Sequence, residues 1–264
     1  MDLGLAGKAC AVTGASRGIG RDVAERLCSE GASVLLIARG ERELHEAATS
    51  CRDAGGEAAT LALDVTDPAA GERILTAADD RFGRLDVLVN NAGTARRRAL
   101  ADVSDADWQA AWELNVMASM RLMRAAIPGM RERGWGRIVN VSSTAGKRPS
   151  TMMPEYSVAK AAQLSLSRLY ADLHAADGVL VNAVCPGPTK SELWMEAGGL
   201  LDQSRSGDES REAALDRAGS KRPIGRLAEP AEIGPVIVFL CSEQASYVAG
   251  VAWGVDGGTV QVII

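Results

Sequence analysis

The chain has no long uninterrupted apolar run. No stretch approaches the roughly 18–20 residues that a membrane-spanning helix needs, and the N-terminal segment lacks the basic and apolar regions of a secretory signal. Only two histidines, His45 and His174, are present, and the five cysteines form no Cys-x-x-Cys pair, so no metal site is predicted. Most cysteines fall within apolar segments, which favours buried free thiols. We therefore expect a cytoplasmic protein with no membrane partner.

Basic residues are outnumbered by acidic ones. The 29 Lys and Arg against 34 Asp and Glu give a formal net charge of −5. Nucleic acid is therefore not an expected partner, because binding to its phosphate backbone needs a basic face. A hydrophobic fraction of 47% is ordinary for a globular domain, and 264 residues can bury a large core.

Short apolar segments alternate with longer helical patterns along the chain. Seven strands are predicted, at 8–13, 33–38, 58–63, 85–90, 137–141, 179–184 and 251–255. Several of these strands are apolar nearly throughout, as the strands of a buried parallel sheet are. This alternation predicts one Rossmann-like α/β domain over residues 1–264, with a doubly wound parallel sheet and helices on both faces.

Two helix boundaries can be predicted from local signals. Ile19, Val23 and Leu27 recur at a spacing of one turn, and Gly31 then ends the predicted helix. Ser104 precedes a turn rich in acidic residues and can cap a second helix. The segment 190–222 interrupts the alternation with glycines and then many charges. It can be a solvated surface excursion, but we favour a mobile substrate lid, because it follows the sixth strand at the edge where open sheets bind ligands.

A glycine-rich turn joins the first strand to the first helix. Glycines allow a tight turn and close approach of a pyrophosphate, while the helix N-terminus supplies amide donors. Glycine-rich turns alone have many uses, but this position favours dinucleotide binding. The candidate cofactor contacts in this turn are Gly14, Ser16, Arg17, Gly18, Ile19 and Gly20.

The end of the second predicted strand bears on the choice of cofactor. An acidic residue there commonly binds the ribose hydroxyl of NAD, whereas arginine suits the 2′-phosphate of NADP. The strand ends at Arg39 with no acid at its tip, and Arg17 can join it, so we predict NADP(H) in preference to NAD(H). Arg39 can instead be merely solvated. Asp64 and Val65 follow the third strand and can meet the adenine, although Asp64 can equally cap a helix.

Small residues follow two further strands. Asn90, Ala92 and Gly93 end the fourth strand and can lie beside the cofactor, although the same residues can form a simple turn. After the sixth strand, the equivalent rim contains Pro186, Gly187 and Thr189.

Tyr156 and Lys160 lie one helical turn apart, downstream of the serine pair at 142–143. A tyrosine hydroxyl has a pKa of about 10, and a cation on the same helix face favours its ionised form. We therefore expect Lys160 to lower the pKa of Tyr156. A surface Tyr–Lys pair on an amphipathic helix is the plainer alternative, and only the surrounding motifs favour a catalytic role.

Taken together, these motifs resemble the short-chain dehydrogenase/reductase family across nearly the whole chain, nearest its bacterial 3-oxoacyl-thioester reductase-like branch. The resemblance implies that Tyr156 is the general acid or base and that Lys160 lowers its pKa and binds the nicotinamide ribose. It further implies that Ser143 holds the substrate oxygen, Asn115 anchors a relay water and Ser191 lies near the carboxamide. The expected reaction is hydride transfer between NADP(H) and a small carbonyl or secondary alcohol. An NAD-preferring dehydrogenase and a non-catalytic nucleotide sensor are the alternatives.

The chain also departs from relatives that use acyl carrier protein. Basic residues of those relatives correspond to Gly134 and Asp177 here, which disfavours docking to a carrier. The run 96–98 is three arginines, a solvated charge cluster or a site for an anionic substrate such as a coenzyme A thioester. Methionines at 152, 153 and 195 suit an apolar ketone but equally suit a core or interface. The apolar tail 260–264, with the resemblance, predicts burial in a homotetramer.

Overall fold

A computed structural model describes residues 2–261 and shows a single parallel sheet. Within this range the seven strands are β1 Ala9–Thr13, β2 Ser33–Ala38, β3 Glu57–Ala62, β4 Val87–Asn90, β5 Gly136–Val141, β6 Val179–Pro186 and β7 Ala252–Val255. All pair in parallel in the order β3-β2-β1-β4-β5-β6-β7. The predicted Rossmann-like sheet is therefore confirmed, with strand ends displaced by at most two residues.

Helices cover both faces of this sheet. They are α1 Gly18–Ser29, α2 Glu41–Asp53, α3 Ala70–Phe82, α4 Asp105–Trp112, α5 Ala118–Glu132, α6 Thr144–Lys147, α7 Pro154–His174, α8 Glu192–Met195, α9 Leu200–Ser204, α10 Arg211–Ser220 and α11 Pro230–Leu240. A π-helical turn, Glu113–Met117, joins α4 to α5. Every helix in the described part of the chain falls short of the length or apolar character that crossing a bilayer requires.

The core has two halves because successive side chains of a strand point to opposite faces. Val12 and Leu36 lie in the half under α1, α2 and α11, whereas Ala11, Leu35 and Ile37 lie in the half under α3, α5 and α7. All five cysteines are buried free thiols, as predicted. The apolar strands thus hold a rigid sheet whose carboxyl edge carries the loops.

Both predicted helix boundaries are confirmed. The α1 helix ends at Ser29, and Gly31 follows with a φ of +80°, a left-handed conformation that suits glycine. Ser104 caps α4 through a reciprocal pair of hydrogen bonds: its Oγ accepts from the Asp107 amide at 3.3 Å, and the Asp107 carboxylate accepts from the Ser104 amide at 3.0 Å.

The segment 190–222 folds into three short helices, α8 to α10, between β6 and α11. Leu200, Leu201 and Ala214 are buried, so the segment has an apolar contact surface of its own. A Cβ at Gly199 would lie 2.9–3.0 Å from three carbonyl oxygens of the preceding turn, which only glycine avoids. The glycine therefore serves a tight turn here, and motion of the segment stays a prediction.

Candidate active site

The carboxyl ends of four neighbouring strands bring the predicted site residues to one edge of the sheet. β1, β4, β5 and β6 lie side by side, and each is followed by one of the predicted motifs. The glycine-rich turn follows β1, the 90–93 turn follows β4, Ser143 follows β5 and Gly187 follows β6. Open α/β sheets bind their ligands in the crevice at this edge.

The glycine-rich turn is shaped by positions where a side chain cannot fit. Gly14 and Gly18 have φ values of +65° and +56°. A Cβ at Gly20 would lie 2.3 Å from the Gly14 carbonyl oxygen and 2.4 Å from Asn91 Nδ2. Ser16 and Ile19 are partly buried beside this turn. The glycines therefore leave a backbone cradle at the N-terminus of α1, which fits a pyrophosphate.

Asn91 holds the cradle against β4, a role that the sequence did not reveal. Its Nδ2 donates to the carbonyl oxygens of Thr13 at 2.9 Å and Gly14 at 3.2 Å. Thr13 Oγ1 in turn accepts from the amides of Asn91 and Ala92 at 2.9 and 3.0 Å. The available signal was the doubled asparagine at 90–91, because adjacent strand-end residues point to opposite faces.

Asn90, the first of this pair, turns away from the cradle. Its side chain is 4% exposed, and its Nδ2 donates to Asn140 Oδ1 of β5 at 2.8 Å. The side chain of this predicted cofactor contact is therefore buried in the protein interior and does not face the crevice. Ala92 and Gly93 stay at the crevice, with Ala92 partly buried and Gly93 exposed.

The start of the segment 190–222 lies against the cradle. Arg17 forms an ion pair with Glu196, just beyond α8. A Cβ at Gly18 would lie 3.0 Å from a carboxylate oxygen of Glu192 and 3.2 Å from Cβ of Ser191. Two carboxylates of the segment 190–222 therefore lie close to the glycine-rich turn, a contact that the sequence could not show.

A carboxylate from α2 lies near the tip of β2. Arg39 is exposed, as the prediction of a phosphate ligand allows. However, a Cβ at Gly40 would lie 2.5 Å from a carboxylate oxygen of Glu43, so an acid does approach this tip. The amide of Glu43 itself and the neighbouring Arg42 lower the pKa of Glu43, with a smaller effect from Arg17. The strand itself ends without an acid, and the carboxylate near Gly40 comes from the first turn of α2.

Asp64 forms a local turn rather than a helix cap. Its Oδ1 accepts from the Thr66 amide at 2.9 Å and from Thr66 Oγ1 at 2.7 Å, and these bonds lower its pKa. The next helix begins only at Ala70, which excludes the helix-cap alternative. Val65 is buried beside Asp64.

The rim after β6 is held by close backbone contacts. A Cβ at Gly187 would lie 2.8 Å from Cα of Asp256 in the loop after β7. Thr189 is buried, and its Oγ1 donates to the Gly187 carbonyl oxygen at 3.0 Å. Pro186 is the last residue of β6, a position where a proline, which has no amide proton, does not interrupt the hydrogen bonds of the strand.

Tyr156 lies in the first turn of α7, beside Ser143. Burial raises the pKa of Tyr156 to about 12, and a hydrogen bond with the Ser143 side chain acts in the opposite direction. The neighbouring Ser142 donates its hydroxyl to the Lys160 carbonyl oxygen at 3.1 Å, so only Ser143 of the pair faces Tyr156. The expected lowering of the tyrosine pKa by Lys160 is therefore not what the structure shows.

Lys160 explains this difference. Its side chain is 2% exposed, and its Nζ donates to the Val141 carbonyl oxygen at 2.7 Å and to Gln163 Oε1 at 3.1 Å. Burial lowers the pKa of Lys160 to about 7, so its own charge is disfavoured. Nζ lies 5.7 Å from the centre of the Tyr156 ring.

Asn115 lies in the π-helical turn, a distortion that is frequent at functional sites. Its Nδ2 donates to the Ala111 carbonyl oxygen at 2.9 Å, whereas its buried Oδ1 has no hydrogen-bond partner among the described residues. A Cβ at Gly93 would lie 3.4 Å from this Oδ1 and 3.7 Å from Lys160 Nζ. Both polar atoms therefore border the same small space over Gly93.

The three arginines at 96–98 have different environments. Arg98 forms ion pairs with Asp107 at 2.5 Å and Glu155 at 3.8 Å, which ties the loop after β4 to the helices α4 and α7. Arg97 is partly buried, and burial followed by the nearby Arg217 lowers its pKa. The three arginines are therefore not a uniformly solvated cluster, and Arg98 at least is engaged by carboxylates of the protein itself.

Comparison with known proteins adds independent evidence. A family model described as enoyl-(acyl carrier protein) reductase matches residues 14–260. The 3-oxoacyl-[acyl-carrier-protein] reductase FabG of Vibrio cholerae is 35% identical over 98% of this chain and 100% of its own length. D-beta-hydroxybutyrate dehydrogenase of Cupriavidus necator is 33% identical over 97% of this chain and 99% of its own length.

A solved structure agrees with these matches. L-sorbose reductase from Gluconobacter frateurii, crystallised with NADPH and L-sorbose, superposes with a TM-score of 0.93 at 38% identity, covering 100% of both chains. The chain therefore belongs to the short-chain dehydrogenase/reductase family, near its 3-oxoacyl-thioester reductase-like branch, and is an oxidoreductase acting on alcohol and carbonyl groups.

Proposed function

We propose that this protein is an NADP(H)-dependent reductase of a small carbonyl compound, or the reverse dehydrogenase, with Tyr156 as general acid or base. The observation that carries this proposal is the convergence of Ser143, Tyr156 and Lys160 beside the glycine cradle. When bound, the nicotinamide supplies or accepts the hydride. The cradle around Gly14 to Gly20 would hold its pyrophosphate, and Gly93, Lys160, Thr189 and Ser191 would border the nicotinamide half.

The protein's own groups handle the substrate oxygen and its proton. With a pKa of about 12, the Tyr156 phenol is protonated at neutral pH, the form that donates a proton during reduction. Ser143 hydrogen-bonds the substrate oxygen and positions it. The unpartnered Oδ1 of Asn115 supports its proposed role as the acceptor for a relay water.

Substitution of Tyr156 tests this chemistry. Tyr156→Phe removes only the hydroxyl, and we expect kcat for ketone reduction to fall by about 10²–10⁴-fold while the cofactor Kd changes little. Turnover would be followed by NADPH absorbance over a panel of ketones and thioesters. Tyr170→Phe, on the same helix, is the matched control and should retain turnover. Near wild-type rates in Tyr156→Phe would end the proposal.

The preference for NADP(H) rests on Arg17 and Arg39. A charge-assisted bond to a phosphate contributes about 1.5–3 kcal/mol, so Arg39→Ala should raise KM for NADPH by about tenfold or more and leave KM for NADH unchanged. Arg131→Ala, which removes an exposed arginine of α5, is the control. Higher catalytic efficiency with NADH than with NADPH in the wild type would reject the preference. A second candidate is an NAD-preferring dehydrogenase. The carboxylate of Glu43 beside Gly40 favours it, because an acid near the end of the second strand can bind the ribose hydroxyl of NAD.

The substrate is proposed to be a free small molecule rather than a carrier-bound acyl group. Gly134 is exposed, and Asp177 forms an ion pair with Arg131, so these two positions offer no basic docking surface. The relatives act, by their names, on a 3-oxoacyl carrier, a hydroxybutyrate and a sugar. A secondary alcohol or ketone is common to all three. The five buried free thiols support a reducing, cytoplasmic compartment.

We further propose a homotetramer. Val158, Leu169 and Leu173 of α7 are 49–60% exposed and recur at helical spacing, which supports burial of this face against another copy. Residues 262–264 of the apolar tail, on which the sequence-based prediction rested, lie outside the described residues. Light scattering should give the mass of four 27.6 kDa chains, and a monomer at micromolar concentration would contradict the assembly.

A further inference from the structure

The side chain of Gln163 lies directly behind the catalytic pair. It follows Lys160 by one turn of α7 and is 1% exposed. Its Oε1 accepts from Lys160 Nζ at 3.1 Å, and its Nε2 donates to Ser119 Oγ of α5 at 2.8 Å. The opposite amide orientation would place an NH₂ group against an ammonium group, so the bond from Lys160 fixes which end is the oxygen.

The same amide connects Lys160 to the π-helical turn. Ser119 Oγ, which accepts from Gln163, donates to the Asn115 carbonyl oxygen at 3.3 Å. Gln163 is therefore linked on one side to the lysine and on the other to the residue whose Oδ1 borders the space over Gly93. The spacing between those two polar groups depends on this buried bridge.

Gln163 also restricts the direction of the lysine ammonium. An ammonium group has three donors, and two of them are engaged by Val141 O at 2.7 Å and Gln163 Oε1 at 3.1 Å. Tetrahedral geometry then fixes where the third N–H points. An apolar residue of similar volume would fill the same space, but it would leave the ammonium free to turn and less stabilised.

We propose that Gln163 is a positioning residue that orients the Lys160 ammonium and fixes its distance from Asn115. The inference rests on the proposed function, because it concerns the group that assists Tyr156. A neutral amide is suited to this task, since it accepts a hydrogen bond without adding a charge. It therefore leaves the lysine sensitive to its surroundings, whereas a carboxylate at 163 would favour its charged form.

Few ionisable groups surround Lys160. Tyr156 lies one turn earlier on α7, and Cys185 faces it from β6. Beyond Cys185 lie Lys147 of α6 and Asp256 after β7, which act on the thiol. A change at 163 should therefore act on the lysine without a competing acid in direct contact.

The test compares the pH dependence of kcat/KM for ketone reduction in three variants. Activity that requires the ammonium falls as the pH rises through the lysine pKa. Gln163→Glu should move this falling limb upward by about one pH unit or more, because a carboxylate favours the ammonium. Gln163→Leu removes an acceptor and should move the limb downward and lower kcat. Ser167→Ala is the control, since its Oγ donates to the Gln163 carbonyl oxygen at 2.7 Å and lies in the same buried network without contacting Lys160.

The outcomes separate positioning from mere packing. Opposite shifts in the Glu and Leu variants, with the limb unmoved in Ser167→Ala, support the proposal. If kcat/KM of Gln163→Glu falls at the same pH as that of wild type, the proposal is overturned, even if Gln163→Leu fails to fold. If Tyr156→Phe keeps its turnover, the proposed chemistry has failed. An inactive Tyr156→Phe together with an unmoved limb refutes the role of Gln163 alone.

Discussion

Gly20→Ala should disable the nucleotide cradle without unfolding the protein. The added Cβ would lie 2.3 Å from the Gly14 carbonyl oxygen and 2.4 Å from Asn91 Nδ2, so both contacts must lengthen by about 1 Å. Overpacking of this size costs about 1–3 kcal/mol. If Asn91 moves, it also loses its bonds to Thr13 O and Gly14 O, each worth about 1 kcal/mol.

The expected loss is therefore about 3–5 kcal/mol, which a domain with an ordinary stability of about 5–15 kcal/mol can survive. Urea unfolding followed by the fluorescence of the five tryptophans would measure it, and NADPH fluorescence would report cofactor affinity. Gly254→Ala, on the edge strand β7, is the matched control. The atom nearest to its added Cβ is Asp256 Cγ, at 3.9 Å. If Gly20→Ala matched that control in both stability and affinity, the geometry of the cradle would be refuted.

Three further predictions follow from local contacts. Ser104→Ala removes the reciprocal cap of α4 and should lower the free energy of unfolding by about 1 kcal/mol in urea, and an unchanged midpoint would contradict the cap. Arg97→Gln should weaken binding of an acyl-coenzyme A, measured by titration calorimetry, if the substrate is anionic, whereas Arg98→Gln should lower stability through lost ion pairs. Burial lowers the pKa of Lys160 from 10.5 to about 7, so the unfolded chain binds more protons between these values. Wild type should therefore gain stability relative to Lys160→Met as the pH rises from about 7 to 10.5, and a pH-independent difference would count against this.

The sheet was predictable because its strands are buried on both faces and read as nearly continuous apolar runs. Even the errors have local causes. The strand predicted at 85–90 is assigned from Val87, although the Asp86 amide still donates to the Ala9 carbonyl oxygen at 2.8 Å and the Asp86 carbonyl oxygen accepts from the Arg137 amide at 3.0 Å, so only the strand boundary differs. The strand predicted at 179–184 extends to Pro186, because β7 pairs with its end. Motifs that follow parallel strands share an edge by topology alone, so the site's location could also be predicted.

The partners of the site residues could not be predicted from sequence. Asn91, Gln163 and Glu196 contact groups that are distant along the chain, and no local signal states which helix or loop packs against which. Glu43 illustrates the same limit over a short distance. The sequence at 37–39 shows no acid, yet the first turn of α2 brings one over Gly40. Cofactor preference depends on such contacts and is therefore harder to read from sequence than the fold.

The ionisation of Tyr156 and Lys160 shows why spacing alone misleads. A lysine one turn from a tyrosine lowers the tyrosine pKa only if the lysine remains charged. Here Lys160 is buried and Tyr156 is partly buried, and burial favours the neutral form of each, with pKa values of about 12 for Tyr156 and about 7 for Lys160. Before their mutual attraction is counted, moving a proton from the phenol to the amine would cost roughly 7 kcal/mol. The hydrogen bonds that Lys160 Nζ donates to Val141 O and Gln163 Oε1 favour the ammonium and act directly against that cost. Any effect of Lys160 on the acidity of Tyr156 therefore depends on the groups that hold the lysine in its charged form.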